Sequence, residues 1–250
     1  MAQKALNLED IVAGNIIQTK GIGSMTWLKD GERYSRLENN KQTGGTDIVA
    51  YRAKDNSREV IIPSSLLTDK STGRPIPVRS VSWSADNEKV LIYNNTRRVW
   101  RYDTRGDYWV LNLKDGALRQ LGKGMPESSM MFAKFSPDGT RVAYVSNNNI
   151  YVEDIDSGKI TQLTKDGSDT IVNGTFDWVY EEEFSCRDGF RWSPDGKHIA
   201  YWQSDTKGTG VFDIINNVDS IYAKVIHFPY PKAGTTLSLI HISEPTRLGM

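Results

Sequence analysis

Cysteine and histidine are scarce in this chain, whose 250 residues include one cysteine and three histidines. The single cysteine, Cys186, excludes a disulfide within the chain, and the carboxylates near it in sequence disfavour a reactive thiolate. This composition leaves no Cys/His metal cluster. The chain also lacks a Gly-x-Ser-x-Gly nucleophile elbow, a P-loop and a Gly-rich dinucleotide loop. The sequence therefore predicts no cofactor, no metal and no catalytic serine.

Net charge and long hydrophobic runs are missing too. The 31 basic residues balance the 31 acidic ones, so the chain has no electrostatic footprint for nucleic acid. No apolar run reaches the ~18 residues that a membrane-spanning helix needs. The first five residues are too polar for a signal peptide. These absences leave the cellular compartment open.

A short pattern, an aromatic residue followed by a turn, recurs at intervals of 56, 52 and 57 residues. Its copies begin at Trp27, Trp83, Phe135 and Trp192, and the last two continue as Ser-Pro-Asp-Gly. Proline presets φ in such a turn and glycine closes it. Repeats of about 50 residues are typical of β-propeller blades.

Between the turns lie short β-rich segments separated by Gly or Asn. The segments predicted as strands are 89–93, 98–102, 108–113, 117–121, 141–145, 149–154, 159–163 and 198–202. Strands of about five residues at this spacing mark an all-β array. We therefore predict an all-β fold, a partial β-propeller of about 3.5 four-stranded blades. One short helix near Trp178–Phe184 should interrupt the strands.

Three consecutive carboxylates, Glu181, Glu182 and Glu183, follow Asp177-Trp-Val-Tyr180. Neighbouring carboxylates repel each other, so a cluster of them suits a bound cation such as a peptide ammonium. Acidic residues also gather in first helical turns, where the helix dipole favours them. The run by itself leaves both interpretations open.

The acidic run resembles the dipeptidyl peptidase IV family when it is taken together with the segments 192–196, Trp-Ser-Pro-Asp-Gly, and 228–234, Phe-Pro-Tyr-Pro-Lys-Ala-Gly. The resemblance implies an eight-bladed propeller, a C-terminal α/β-hydrolase domain that holds the catalytic triad, and a serine exopeptidase that releases X-Pro or X-Ala dipeptides. It implies that Glu182 and Glu183 bind the substrate's free N-terminus and that Arg101 contacts a substrate carbonyl. A solvated arginine on a blade strand is the other interpretation of Arg101.

The resemblance also implies partners. The expected partners are peptide substrates with a free N-terminus, the hydrolase domain and a second copy of the parent, and the parent is expected to be periplasmic or secreted. A non-enzymatic TolB-like periplasmic scaffold is the rival, since its repeats look the same. The acidic motif beside aromatics favours the peptidase.

The last residues have a different character. Residues 237–247 resemble the in-frame translation of a transposon-type sequencing adapter. We therefore expect residues 1–236 to be an incomplete N-terminal propeller domain and 237–250 to be a non-native tail. The sequence would then be truncated and inactive by itself as a peptidase.

Overall fold

The computed structural model describes residues 7, 8, 12, 21 and 23–234, together with the backbone of 239–247. Successive antiparallel sheets follow one another along these residues, as the repeat predicts. The first sheet contains β1 (Thr26–Trp27), β2 (Arg33–Asn39), β3 (Thr46–Arg52) and β4 (Arg58–Ile62). A short insertion then holds a 3-10 helix (Ser64–Leu67), β5 (Thr68–Asp69) and β6 (Arg74–Pro75).

The second and third sheets are complete four-stranded blades. The second contains β7 (Ser80–Trp83), β8 (Lys89–Val99), β9 (Tyr102–Asn112) and β10 (Leu118–Gln120). The third contains β11 (Met131–Phe135), β12 (Arg141–Ser146), β13 (Asn149–Asp154) and β14 (Ile160–Gln162). The prediction of a separate strand over 98–102 was wrong, because β8 runs on to Val99 and Trp100 and Arg101 form the turn into β9.

The fourth sheet is built around one long strand. Its members are β15 (Ile171–Asn173), β16 (Phe190–Trp192), β17 (His198–Asp205) and β20 (Leu239–Arg247). The main chain of Trp202 in β17 accepts from the Gly174 N–H and donates to the Gly189 carbonyl. The chain thus leaves β17 at Gly174 and returns to it at Gly189, and helix α1 (Trp178–Phe184) lies within this excursion. A separate hairpin follows, formed by β18 (Val211–Asn216) and β19 (Lys224–Pro229).

The Ser-x-Asp turns share one hydrogen-bond pattern. In the fourth copy, the Ser193 hydroxyl donates to Asp195 at 2.6 Å and accepts the His198 N–H at 2.9 Å. Ser84 makes the corresponding contacts in the second copy. The residue after the aspartate has φ of +68° at Gly196 and +62° at Asn87, which only glycine and a few residues such as asparagine adopt readily. The turn chemistry therefore explains why these residue types recur.

The hydrophobic core is divided among the spaces between neighbouring blades. Ile48 and Ile62 of the first sheet pack with Ile92 of the second. Leu91 of the second sheet packs in a separate cluster with Tyr144 of the third. A third cluster joins the third sheet to the fourth, and its members include Val145, Ile150, Phe190 and Ile199. This face-to-face packing of consecutive sheets is that of propeller blades.

Candidate functional site

Helix α1 is short, and both of its ends are capped. Asp177 is the N-cap residue, and its side chain accepts the Tyr180 N–H at 3.4 Å. Ser185 ends the helix in the left-handed conformation, with φ of +50°, and its N–H donates to the Glu181 carbonyl. These caps satisfy main-chain groups that a seven-residue helix could not satisfy alone. The predicted helix is confirmed at the expected bounds.

An aromatic cluster holds α1 against the β18–β19 hairpin. The ring of Trp178 lies 5.0 Å from that of Phe228 and 5.2 Å from that of Tyr230. Phe176 stacks on Tyr180 at 5.1 Å. Two of the sequence segments that carry the family resemblance, separated by about 50 residues of chain, therefore meet in space. Trp178 and Tyr180 thus pack against other aromatic rings.

The three carboxylates of α1 have three different environments. The Glu181 side chain is fully buried, with 0% exposure. The Glu182 side chain is 14% exposed, and Glu183 lies at the surface. Successive helical residues diverge by roughly 100° around the axis, which separates the three in this way.

Arg101 binds Glu182. The Arg101 Nε donates to Glu182 Oε1 at 3.1 Å, and Nη2 donates to Oε2. The pair is a two-point, charge-assisted contact between the β8–β9 turn of the second blade and α1. Glu183 has no hydrogen-bond or ion-pair partner within the part of the chain that the structure describes. The structure thus brings Arg101 and Glu182 together, and the exposed Glu183 carboxylate follows them without a partner among the described residues.

Glu181, to which the sequence assigned no role, makes two contacts. Its Oε1 accepts the main-chain N–H of Arg101 at 3.1 Å, and its Oε2 lies 3.2 Å from Arg187 Nε. The Arg187 guanidinium lies over the Trp100 ring, 4.5 Å from its centroid, and donates to the Phe176 carbonyl. Burial lowers the pKa of Arg187 to about 10, against the opposing pull of the Glu181 carboxylate. Sequence reasoning missed Arg187, because nothing in its local sequence distinguishes it from a surface arginine.

A cavity of about 510 Å³ lies on another side of the helix N-terminus. Trp100, Arg105, Asp177 and Arg187 are among its lining residues. Arg101 and the two candidate glutamates are not in its lining. Glu182, Glu183 and Arg101 therefore lie outside this cavity.

Cys186 and His227 are two further titratable residues of the described region. Burial, followed by the charge of Asp188, raises the pKa of Cys186, so its thiol stays protonated. Asp213 Oδ1 lies 2.6 Å from His227 Nδ1. Both side chains are exposed on the β18–β19 hairpin. No group of three or more metal-ligating side chains occurs among the described residues.

The glycosylation sequons at Asn94 and Asn173 are not accessible. Asn94 is 6% exposed and Asn173 is fully buried. The Asn173 amide donates to the Asn148 carbonyl and to Asp166. Both asparagines serve the packing of the blades. Among the helices of the described region, none has the length and apolar character to cross a membrane.

A series of four-stranded antiparallel sheets, with an inserted helix whose Glu182 contacts an arginine of another sheet, defines a β-propeller region. Residues 84–243 match the family described as the dipeptidyl peptidase IV (DPP IV) N-terminal region. This match covers well over half of the chain. The chain therefore belongs to the dipeptidyl peptidase IV family and corresponds to part of its N-terminal region.

Individual relatives agree with this assignment. The dipeptidyl aminopeptidase B of Saccharomyces cerevisiae is 31% identical over 240 residues, which are 90% of this chain and 27% of the yeast protein. The prolyl endopeptidase FAP of Mus musculus is 27% identical over 242 residues, covering 96% of this chain and 30% of the mouse protein. The crystal structure of Porphyromonas gingivalis dipeptidyl peptidase 4 superposes with a TM-score of 0.79 at 25% identity. That superposition covers 96% of this chain and 33% of the other. The chain thus spans a third or less of the length of each of these relatives.

Proposed function

We propose that this chain is the substrate-gating and amine-binding propeller part of a dipeptidyl peptidase IV-like serine exopeptidase. The parent would release X-Pro or X-Ala dipeptides from peptide N-termini. The observation that carries this proposal is the Arg101–Glu182 pair, followed by an exposed Glu183 that has no partner within the described part of the chain. Family membership and relatives named as dipeptidyl aminopeptidases support it.

The charge of the cluster suits a peptide ammonium. Glu182 and Glu183 carry two negative charges, and Arg101 supplies one positive charge, so the cluster has one uncompensated negative charge. An ammonium group has three donors, which can be shared among carboxylate oxygens. Its binding would neutralise the site and give Glu183 its missing partner. The Arg101 donors that Glu182 does not use could reach a carbonyl of the same peptide.

An anchor for the N-terminus also sets the length of the product. If the amine is fixed at α1 and the nucleophile lies in the hydrolase domain, only two residues fit between them. Dipeptide selectivity would then follow from a distance. The propeller would also restrict access to peptides that can reach this site.

The partners that we propose for the parent are peptides with a free N-terminus, its own α/β-hydrolase domain and a second copy of itself. The 250-residue chain contains no nucleophile elbow, so we propose that it releases no dipeptide by itself. The match to the dipeptidyl peptidase IV N-terminal region disfavours the rival, a non-enzymatic TolB-like scaffold.

The test replaces Glu182 or Glu183 with glutamine in the full-length protein. Loss of one partner from a desolvated ammonium–carboxylate contact costs about 2–5 kcal/mol. At about 1.4 kcal/mol per tenfold, we expect kcat/KM to fall roughly 30- to 3,000-fold on a free-amine Gly-Pro or Ala-Pro reporter. Steady-state kinetics on purified variants measure this.

An N-acetylated reporter is the matched control. It lacks the cation, so it should be a poor substrate for the wild type and should lose little more in either variant. If the carboxylates serve only the helix dipole, both reporters should respond equally and the helix should lose about 0.3–1 kcal/mol of stability. Near-wild-type efficiency of both variants on the free-amine reporter would overturn the proposed function.

A further inference from the structure

We propose that Glu181 is a positioning residue for the amine site: it holds the main chain of Arg101 so that the Arg101 guanidinium meets Glu182. This inference rests on the proposed function. Glu181 does not touch substrate in it, because its side chain is completely buried. Its action is on the two-residue turn that carries Arg101.

The turn between β8 and β9 cannot satisfy the Arg101 main chain by itself. The last cross-strand pair of the two strands is Val99 with Tyr102, so Trp100 and Arg101 lie beyond the ladder. The Arg101 N–H finds its acceptor in Glu181 Oε1, at 3.1 Å and 80 residues away in sequence. The hydrogen bond from a main-chain N–H to a buried carboxylate is among the stronger hydrogen bonds in proteins.

The same turn contains a strained residue. Trp100 has φ of +54°, a conformation that is costly for a bulky side chain. The Arg187 guanidinium covers the Trp100 ring at 4.5 Å, and Glu181 Oε2 lies 3.2 Å from Arg187 Nε as an ion pair rather than an aligned hydrogen bond. Glu181 therefore supports both residues of the turn, Arg101 directly and Trp100 through Arg187.

Two neighbouring carboxylates thus hold one arginine at two points. Glu181 binds its main chain, and Glu182 binds its guanidinium. Without Glu181, the turn can relax from its strained conformation. The Arg101 main chain is then no longer fixed, and its guanidinium is no longer held in position to bind Glu182. The expected result is weaker binding of the amine, with the chemistry at the distant nucleophile unchanged.

The experiment uses Glu181→Gln in the full-length protein. We expect KM for the free-amine reporter to rise about tenfold, because the single glutamine oxygen can face Arg101 N–H or Arg187 but cannot serve both as the carboxylate does. We expect kcat to stay within about twofold, because a binding interaction common to ground and transition states is removed. In an Arg101→Ala background the same substitution should add less than about twofold, since the group that it positions is gone.

Glu153→Gln is the matched structural control. Glu153 is also buried, and it likewise accepts a main-chain N–H, from Gly122, and pairs with an arginine, Arg119. It lies between the second and third blades, away from the site, so its loss should change thermal stability without the selective rise in KM. An equal rise in KM for both variants would assign Glu181 to general stability and overturn the inference.

The outcomes separate this inference from the proposed function. If Glu182→Gln impairs the free-amine reporter and Glu181→Gln does not, the positioning role is wrong and the amine site stands. If neither variant impairs turnover of the free-amine reporter, the proposed function itself fails. Should Glu181→Gln not fold, Arg187→Lys provides the second variant, since it keeps the charge but not the planar stack on Trp100. It should raise KM in the same direction, and an unchanged KM would contradict the role.

Discussion

The Arg101 guanidinium uses one edge, Nε and Nη2, to bind Glu182, while its side chain remains 60% exposed. An arginine fixed in this way presents its other donors in a known direction, at lower entropic cost than a free arginine. The sequence could propose Arg101, Glu182 and Glu183 as site residues through motif resemblance, and that role stays a prediction. It could not identify Glu181 as their support, because burial of one glutamate out of three depends on how the helix is seated.

A second residue-scale feature is Lys134, whose ammonium lies 2.5 Å from Asp188 and 3.7 Å from the centroid of the Phe190 ring. Burial lowers the pKa of Lys134 from 10.5 to about 8, against the opposing pull of Asp188, and Arg191 lowers it further. In the unfolded chain the amine keeps its proton up to pH ~10.4. The folded state therefore holds fewer protons between pH 8 and 10.5, and the Lys134 contribution to stability rises with pH across that window.

Between pH 7.5 and 10.5, we expect the free energy of unfolding of the wild type to rise by roughly 2–3 kcal/mol relative to that of Lys134→Met, at 1.36 kcal/mol per pKa unit. Urea unfolding of the two proteins across this range measures the difference. Lys134→Arg is the control, because arginine stays charged throughout this range. The unfolding free energies of Lys134→Arg and Lys134→Met should therefore change with pH in parallel. A wild-type curve parallel to both would contradict the lowered pKa.

At the scale of elements, the excursion that carries α1 depends on two glycines at its base. A Cβ at Gly189 would lie 2.9 Å from the main chain of Gly174 and Thr175. Gly174 itself has φ of +71°, and a Cβ there would lie 2.8 Å from Ile150 and 2.9 Å from Val145. The two ends of the excursion can approach each other only without side chains.

Gly174→Ala is expected to lower the free energy of unfolding by about 2–4 kcal/mol, since it combines backbone strain with overpacking. Gly44→Ala is the matched control: φ is +70° there, but nothing lies within 4 Å of a Cβ. It should cost only about 1 kcal/mol. Chemical denaturation of both variants measures the difference, and equal losses would show that the contacts with Ile150 and Val145 are unimportant.

The elements themselves were largely predictable where turn chemistry is explicit. The strand predicted over 149–154 is confirmed as β13 at both ends, and the Ser-Pro-Asp-Gly copies mark turns as expected. The β8–β9 turn was missed, because Trp100 and Arg101 are not turn-forming residues. Contacts with Glu181 and Arg187, far away in sequence, stabilise this turn, and no local pattern reports them.

At the scale of the whole molecule, the segment 237–250 is the part whose origin remains a prediction. The backbone of β20 pairs with β17 from residue 239 to 247, and the family match continues to residue 243. The opposite side of β17 is already paired with β15 and β16. The fourth sheet therefore retains three strands without this segment.

Deleting residues 237–250 is expected to lower the free energy of unfolding by less than about 1 kcal/mol, the range of a dispensable surface segment. Thermal and urea unfolding of the 250-residue chain and its deletion variant measure this. A variant with the same residues in scrambled order separates an effect of length from one of sequence. A larger loss in both variants would identify the segment as a native strand of the fourth blade.

Each hydrophobic cluster joins one blade only to the next, but the Arg101–Glu182 contact joins the second blade to the helix inserted in the fourth. This contact therefore spans the third blade and mechanically couples the two blades on either side of it. A change in the tilt of the third blade would alter the distance that this contact spans, so the proposed amine site would respond to the curvature of the whole series of blades. A peptide that binds there would in turn stiffen three blades at once, although it touches only two of them.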